Sequence, residues 1–259
     1  MSTTSEVGKT PKVPRLMLLF WVVKILTTAM GETTSDDLVH RLNPYVAVLA
    51  AGIGLVAALA WQISTTRYVP VVYWLAAVMV SIAGTMGADV VHIELKVPYL
   101  ASALGYAVAL AVIFLVWHRT EGTLSIHSVY TRRRELFYWA AVLATFALGT
   151  ATGDLTAYTW RLGFFTSGAV FAVAFAIPAI GYWRFRLNPI LAFWWAYVLT
   201  RPLGASFADG TAKPVSGGGL GWGDPAVTLV LTSLIVVLVG YFQLTGVDRQ
   251  VPTSVTPSP

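Results

Sequence analysis

The chain has 259 residues, of which 56% are hydrophobic and only 11% are charged, and its mean hydropathy is +0.70. Soluble proteins carry roughly a quarter charged residues, so this composition excludes a soluble globular protein and indicates an integral membrane protein. The absence of cysteine excludes disulfides and thiolate metal sites. The formal net charge of +5 does not predict a nucleic-acid partner, because the basic residues fall mainly in loops, where they set membrane topology.

Eight segments are long and apolar enough to cross a bilayer, which takes about 20 mostly apolar residues. They are residues 15–38, 45–63, 70–92, 98–117, 135–158, 163–183, 189–209 and 226–244. The sequence therefore predicts an all-α integral membrane protein with eight transmembrane helices.

One spacing pattern occurs four times along the chain. In each copy an aromatic residue precedes a Trp, a Gly follows that Trp by ten residues, and an Asp follows it by fifteen. The copies are Trp21–Gly31–Asp36, Trp74–Gly84–Asp89, Trp139–Gly149–Asp154 and Trp194–Gly204–Asp209. Each copy joins one long helix to a returning helix, so every copy enters the membrane from the same side. The pattern predicts four parallel two-helix repeats around a pseudo-symmetry axis along the membrane normal.

The repeats divide the chain into seven parts. These are a cytoplasmic tail (1–14), repeat 1 (15–69), repeat 2 (70–117), a cytoplasmic linker (118–134), repeat 3 (135–187), repeat 4 (188–245) and a disordered C-terminal tail (246–259). The linker fits either a short interfacial segment on an anionic leaflet or an ordinary loop. The glycine-rich stretch 210–225 is predicted to be a flexible external linker.

The distribution of basic residues predicts the orientation. Tails and loops between repeats hold eleven, namely Lys9, Lys12, Arg15, Arg67, Arg119, Arg132, Arg133, Arg134, Arg184, Arg186 and Arg249. Loops inside the repeats hold four, namely Arg41, Lys96, Arg161 and Lys213. Basic loops stay cytoplasmic, so both termini are predicted to be cytoplasmic and each repeated Asp to lie toward the outer end of its helix.

The long helix of each repeat carries a polar stripe. Positions 0, +4, +7, +11 and +15 from the Trp fall on one helical face. Its polar members are Thr28, Glu32, Asp36, Ser81, Thr85, Asp89, Thr150, Asp154, Arg201 and Asp209, and Lys24 lies one turn before Thr28. Lipid penalises such a face, so it is predicted to face the bundle interior. The stripes then stack into layers, with an aromatic layer of Trp21, Trp74, Trp139 and Trp194 toward the cytoplasm.

The chemistry of this stripe favours a cation, because five acids outnumber two bases. The candidate ion-binding residues are Glu32, Asp36, Asp89, Asp154 and Asp209, with the hydroxyls of Thr28, Thr85 and Thr150. The four Asp are the candidate metal ligands, since carboxylate oxygens suit hard cations. Lys24 and Arg201 are predicted to neutralise Glu32 and one of the Asp residues. His40 and His92, which follow two of the Asp, are either further ligands or, as the sequence favours, interfacial loop residues.

Structural roles compete with each of these interpretations. An Asp near a helix end can cap a neighbouring turn, and buried charge pairs can serve folding alone. The repeated Gly residues are most simply close-packing positions. The Trp residues fit interfacial anchors as well as they fit a gate.

Three phrases of the sequence resemble a known family: KILTTAMGETTSDDL, EGTLSIHSVYTRRRELFYW and LAFWWAYVLTRPLGAS. They look like the signatures of bacterial membrane proteins built from a tandem repeat of unknown function, with four copies of two transmembrane segments and a characteristic Trp. The resemblance covers about residues 12–245. It implies the architecture only, with the family Trp at Trp21, Trp74, Trp139 and Trp194, and no biochemical activity. The predicted location is the bacterial inner membrane.

The function predicted from these residues is transport of a small cation, for example a divalent metal such as Mn²⁺. No Ser-His-Asp order and no HExxH motif is present, so the protein is predicted not to be an enzyme and to need no cofactor beyond a transported cation or proton. A proton-coupled carrier of a small organic solute and a non-transporting sensor or scaffold stay open. The partners implied are the lipid bilayer, the solute and, as an open alternative, further copies of the chain.

Overall fold

The computed structural model describes residues 10–93 and 95–250, and no strand occurs among them. Eight long helices make up this part of the chain, α1 (Leu18–Arg41), α2 (Pro44–Ser64), α3 (Pro70–Ile93), α4 (Tyr99–Glu121), α5 (Arg132–Asp154), α6 (Gly163–Phe185), α7 (Pro189–Ala212) and α8 (Asp224–Thr245). The all-α class is therefore confirmed. Six of these helices are long and apolar enough to cross a membrane, namely α2, α3, α4, α5, α6 and α8.

Helices α1 and α7 fall outside this apolar set because they carry the buried charges. Lys24 and Glu32 lie on α1, and Arg201 lies on α7. All three side chains are shielded from solvent, with exposed fractions of 1%, 6% and 1%. These two helices, which are outside the six candidate membrane spans, thus contribute charged groups to the interior of the bundle.

The helix ends follow local sequence chemistry. The side chain of Asn43 caps α2 by accepting from the Tyr45 amide at 3.0 Å, and Asn188 caps α7 in the same way. Gly122 and Gly246 end α4 and α8 with φ of 73° and 64°, values that glycine adopts without strain. The fifth predicted segment is interrupted: α5 stops at Asp154 and continues as a π turn over Leu155–Thr159.

Contacts between helices follow a cyclic order. Helix α1 packs on α3, α3 on α5, α5 on α7, and α7 on α1. The returning helices α2, α4, α6 and α8 pack mainly on the long helix of the next copy, which is α3, α5, α7 and α1 respectively. The contact of α8 with α1 joins the last copy to the first.

The repeated glycines lie where neighbouring long helices approach most closely. Each faces the residue seven positions after the Trp in the next copy, in the pairs Gly31–Ser81, Gly84–Phe146, Gly149–Arg201 and Gly204–Thr28. A Cβ built on Gly149 would lie 2.5 Å from Cγ of Arg201, and one built on Gly84 would lie 3.0 Å from Cβ of Phe146. The interpretation of these glycines as close-packing positions is confirmed.

An aromatic layer joins the N-terminal ends of the four long helices. In every copy the aromatic residue before the Trp contacts the Trp of the next copy, in the pairs Phe20–Trp74 (5.7 Å), Tyr73–Trp139 (5.4 Å), Tyr138–Trp194 (6.1 Å) and Phe193–Trp21 (5.8 Å between ring centroids). The layer predicted from four Trp residues therefore consists of eight rings.

Both ends of the described chain cover this aromatic layer together with the linker. The Lys12 amide donates to the Val129 carbonyl at 2.8 Å, and the Arg15 amide donates to the Asp248 carbonyl at 2.7 Å. Lys12 also forms a buried ion pair with Glu135. This end of the bundle is closed by packed polypeptide.

Burial favours one of the two interpretations of the linker. Ile126 and Val129 are buried against the bundle, with exposed fractions of 4% and 0%, which fits an ordinary loop better than an interfacial segment. The prediction about the C-terminal tail needs correction. The tail predicted to be disordered from residue 246 is packed as far as residue 250, because the Asp248 carboxylate is buried and accepts a hydrogen bond from the Tyr68 hydroxyl. Residues 251–259 lie outside the described part.

The glycine-rich stretch after α7 is ordered, contrary to the prediction of a flexible linker. Its amides return over the end of α7 and donate to four carbonyls there, in the pairs Leu220–Gly210 (2.8 Å), Gly221–Lys213 (2.9 Å), Trp222–Thr211 (3.1 Å) and Gly223–Ala212 (3.0 Å). The glycines permit this path because three of them have φ between 77° and 90°.

Replacing Gly149 by Ala is expected to destabilise the bundle by about 1–3 kcal/mol, because the new methyl group would overpack against Arg201. Gly87→Ala is the matched control, since no atom lies within 4 Å of its Cβ position and Ala favours the helix. Unfolding of the purified protein in detergent measures both. Equal losses of stability would contradict the close-packing role.

Candidate functional site

A cavity of about 400 Å³ lies at the C-terminal ends of the long helices and is open to the surface at one side. All five acids of the predicted stripe line it, namely Glu32, Asp36, Asp89, Asp154 and Asp209. His40, Tyr99, Tyr158 and Lys213 contribute further polar atoms to its wall. Asp36 and Lys213, which are 177 positions apart in the sequence, thus line the same cavity.

Three of these carboxylates form a compact group, here called the acidic triad: Glu32, Asp36 and Asp209. One oxygen of each lies within 4.8 Å of the others, a spacing that suits a single metal ion. Of the four Asp predicted as metal ligands, two belong to the triad, while Asp89 and Asp154 lie on the cavity wall outside it. Glu32 takes part because it precedes Asp36 by one helical turn on α1.

Asp209 is the member of the triad whose environment is least satisfied. Its exposed fraction is 6%, and its Oδ1 has no hydrogen-bond partner among the described residues. The ammonium of Lys213 lies 3.9 Å from that oxygen. A buried carboxylate oxygen without a hydrogen bond is costly, so a further polar partner at this position would be stabilising.

The floor of the site is organised by Arg201, which is 1% exposed. Its Nη2 forms an ion pair with Glu32 and donates to the hydroxyls of Thr85 at 2.7 Å and Thr150 at 2.9 Å. Each hydroxyl donates its own proton to the carbonyl one turn earlier on its helix, at 2.8 and 3.0 Å, so it is free to accept from Arg201. Glu32, Thr85 and Thr150 each lie eleven positions after the Trp of their copy, and all three contact this one guanidinium.

Lys24 does not contact the acids. Its Nζ lies 4.1 Å from the ring centroid of Phe146 and 4.6 Å from that of Tyr197, and no carboxylate of the described residues lies within 4.0 Å. The prediction that Lys24 neutralises an acid is therefore wrong, whereas Arg201 pairs with Glu32 as expected. The longer side chain of Arg201 reaches Glu32 from α7, and the aromatic faces stabilise the Lys24 ammonium instead.

Thr28 and His92 also lie apart from the cavity wall. The hydroxyl of Thr28 donates to backbone carbonyls of Ile25 at 2.7 Å and Thr200 at 3.1 Å, so it serves helix packing. His92 is in the last turn of α3, and its Nδ1 lies 3.0 Å from the carbonyl oxygen of Val97 in the following loop. Of the two histidines considered, only His40 lines the cavity, and its Nδ1 lies 2.6 Å from the Asp36 carbonyl oxygen.

Lys213 was predicted only as a loop residue that helps to set topology, but it lies in the cavity wall. Its Nζ forms an ion pair with Asp36 and lies 3.9 Å from both Asp209 and Asp224. Burial opposes the charged form of Lys213, but the carboxylates of Asp36 and Asp209 outweigh that effect and raise its pKa above the ordinary value. Its spacing of four residues from Asp209 was the signal that could have placed it at the site.

A double-mutant cycle on Arg201 and Glu32 tests the floor of the site. Arg201→Gln or Glu32→Gln alone leaves an unpaired buried charge and is expected to cost about 3–5 kcal/mol of stability. The double variant should lose clearly less than the sum, as measured by unfolding in detergent.

The same cycle with Lys24→Met in place of Arg201→Gln is the control. Lys24 and Glu32 are not in contact, so their effects should add. Additive losses for Arg201 and Glu32 would refute the central ion pair.

Comparison with known proteins gives one family. The family described as Repeat of Unknown Function (DUF347) matches residues 19–68, 72–123, 137–188 and 192–247, so four tandem repeats are shown. No curated protein and no solved structure matches the chain. Each matched segment contains one long helix with its Trp, Gly and Asp, followed by one returning helix. The chain belongs to this family of tandem repeats of unknown function.

Proposed function

We propose that this protein transports a small cation across the bacterial inner membrane and binds it at the acidic triad. The observation that carries the proposal is the buried Asp209 carboxylate, whose Oδ1 has no hydrogen bond from residues 10–93 or 95–250 while oxygens of two other carboxylates lie within 4.8 Å. Five acids and two cations, Arg201 and Lys213, surround the cavity or its floor, which leaves an excess of acidic groups. Such a site attracts cations.

A hard divalent cation such as Mn²⁺ fits the available atoms best. The triad offers only carboxylate oxygens, and hard cations prefer oxygen ligands. His40 at the cavity wall adds a nitrogen that a transition metal accepts more readily than Ca²⁺ or Mg²⁺ does. The proposal assigns no catalytic role to any of these residues.

The proposed membrane arrangement has all eight helices crossing the bilayer as four parallel repeats around an axis along the membrane normal. The cyclic contacts among the long helices support it, as do the shared aromatic layer at their N-terminal ends and the shared cavity at the other ends. With both termini in the cytoplasm, the cavity opens outward and the aromatic layer closes the cytoplasmic side.

Transport is favoured over a scaffold because an open cavity reaches the Asp residues. A scaffold would be expected to have a dry and fully paired core, whereas Oδ1 of Asp209 and Nη1 of Arg201 both lack hydrogen bonds within the described part of the chain. A proton-coupled carrier of a small organic solute is the second candidate. The cavity volume of about 400 Å³ favours it, because this is larger than one ion needs and falls in the range of small-molecule pockets.

Flux into proteoliposomes tests the cation proposal. Asp209→Asn and Asp36→Asn are expected to lower Mn²⁺ uptake at least about tenfold, since each removes a charged ligand and every 1.4 kcal/mol lost is tenfold in affinity. Asp37→Asn is the matched control, because Asp37 pairs with Arg41 at 2.6 Å outside the cavity. Full uptake by the doubly substituted Asp36 and Asp209 protein would end the proposal.

Cysteine labelling tests the proposed orientation, and the natural chain has no cysteine to interfere. Single cysteines at Arg161 and Lys96 are expected to react with an impermeant maleimide added outside intact cells. Cysteines at Arg67 and Arg184 should react only after the cells are opened. External labelling at Arg67 would reverse the orientation.

A further inference from the structure

Lys213 is the first residue after α7, and its ammonium reaches carboxylates on three helices. It pairs with Asp36 of α1 and lies 3.9 Å from both Asp209 of α7 and Asp224 of α8. The side chain is 20% exposed and lines the cavity. A cation of the protein itself therefore occupies the rim of the acidic site.

The position of this ammonium conflicts with that of a bound ion. Asp36 and Asp209 both belong to the acidic triad. A metal ion held by these carboxylates would lie about 2.0–2.6 Å from their oxygens, so it would sit only a few ångströms from the Lys213 Nζ. Two like charges at that separation repel strongly in a partly buried site. Asp36 and Asp209 therefore cannot coordinate the ion while the ammonium keeps its present contacts with them.

Hydrogen bonds fix the backbone of Lys213, so a change in the position of its ammonium would come from the side chain. Its amide donates to the Asp209 carbonyl, and its own carbonyl accepts from the Gly221 amide, both at 2.9 Å. A side chain on Gly219 would collide with the Lys213 carbonyl, so the glycine loop packs directly on this residue. The flexible four-carbon stem of lysine can still carry the ammonium from one acceptor to another.

Asp224 offers the displaced ammonium another acceptor. Its Oδ1 has no hydrogen-bond partner in the part of the chain that the structure describes, and it lies 3.9 Å from the Lys213 Nζ. Asp224 is the first residue of α8 and lies outside the triad. A short movement of the ammonium toward this carboxylate would release Asp36 and Asp209.

We propose that Lys213 is a tethered cation that neutralises Asp36 and Asp209 in the ion-free protein and moves to Asp224 when the transported cation binds. This inference rests on the proposed function, because Lys213 would set the affinity of the acidic triad for the transported cation. Because the ammonium is attached to the protein, its effective concentration at the triad is fixed. It therefore weakens binding of the ion and favours its release. It also limits the repulsion between the carboxylates when no ion is present.

The test measures Mn²⁺ binding by titration calorimetry to the purified full-length protein in detergent. Lys213→Met keeps the length of the side chain and removes its charge, and it is expected to tighten Mn²⁺ binding at least about tenfold. Lys96→Met is the matched control, because Lys96 is an exposed residue of another external loop and does not line the cavity. Its affinity should equal that of the natural protein.

Asp224→Asn provides an independent variant that leaves Lys213 in place. It should weaken Mn²⁺ binding to the natural protein, because the displaced ammonium loses its second acceptor. The same change in the Lys213→Met background should have little effect.

The outcomes separate this inference from the proposed function. Mn²⁺ binding that is equal or weaker in Lys213→Met, or unaffected by Asp224→Asn, overturns the tethered cation and leaves the acidic site standing. Binding that appears only in Lys213→Met supports the tethered cation as a block. No Mn²⁺ binding to the natural protein or to Lys213→Met overturns both ideas.

Discussion

The buried guanidinium of Arg201 is the interaction on which the arrangement of the long helices depends. From α7 it bonds Glu32 on α1, Thr85 on α3 and Thr150 on α5, so one side chain connects all four copies of the repeat. Removing Glu32 from this pair would leave an unpaired buried charge, which is strongly destabilising. The three contacts of Arg201 hold α1, α3, α5 and α7 together at the level next to the triad.

Residues that recur in every copy of the repeat form the contacts between neighbouring long helices, and residues that differ between the copies form the acidic site. Gly at +10 and the aromatic residues at 0 and −1 recur in every copy and make the cyclic contacts. At +7, however, the fourth copy has Arg201 where the first has Thr28. At +11 it has Ala205 where the first has Glu32. The side chain of Arg201 is longer than that of Thr28, and the side chain of Ala205 is smaller than that of Glu32. Both differences allow the guanidinium to extend from α7 toward Glu32 on α1. Divergence among the copies thus converts a symmetric bundle into an asymmetric acidic pocket.

Much of this organisation was predictable because it depends on short-range periodicity. The eight helices, the convergence of the five acids and the packing role of the glycines all follow from a constant spacing on one helical face. The partner of Lys24 was not predictable. Both Lys24 and Arg201 have long side chains, and only the packing of α1 against α7 decides which of them contacts Glu32. The ordered glycine loop was missed for a related reason. Glycine permits the left-handed turns of that loop, but the sequence does not show that α7 offers carbonyls to bind it.

The vertical order of charges constrains how a cation would cross. From the triad toward the aromatic layer, an ion would meet Arg201 and then Lys24, and both face the ring of Phe146, at 5.9 Å and 4.1 Å from its centroid. Two positive charges followed by eight packed rings oppose a permeating cation both electrostatically and sterically. A fixed open pore is therefore incompatible with this arrangement. Transport through the proposed site instead requires the long helices to move relative to one another, and the Arg201–Glu32 pair is the contact that such a movement must change.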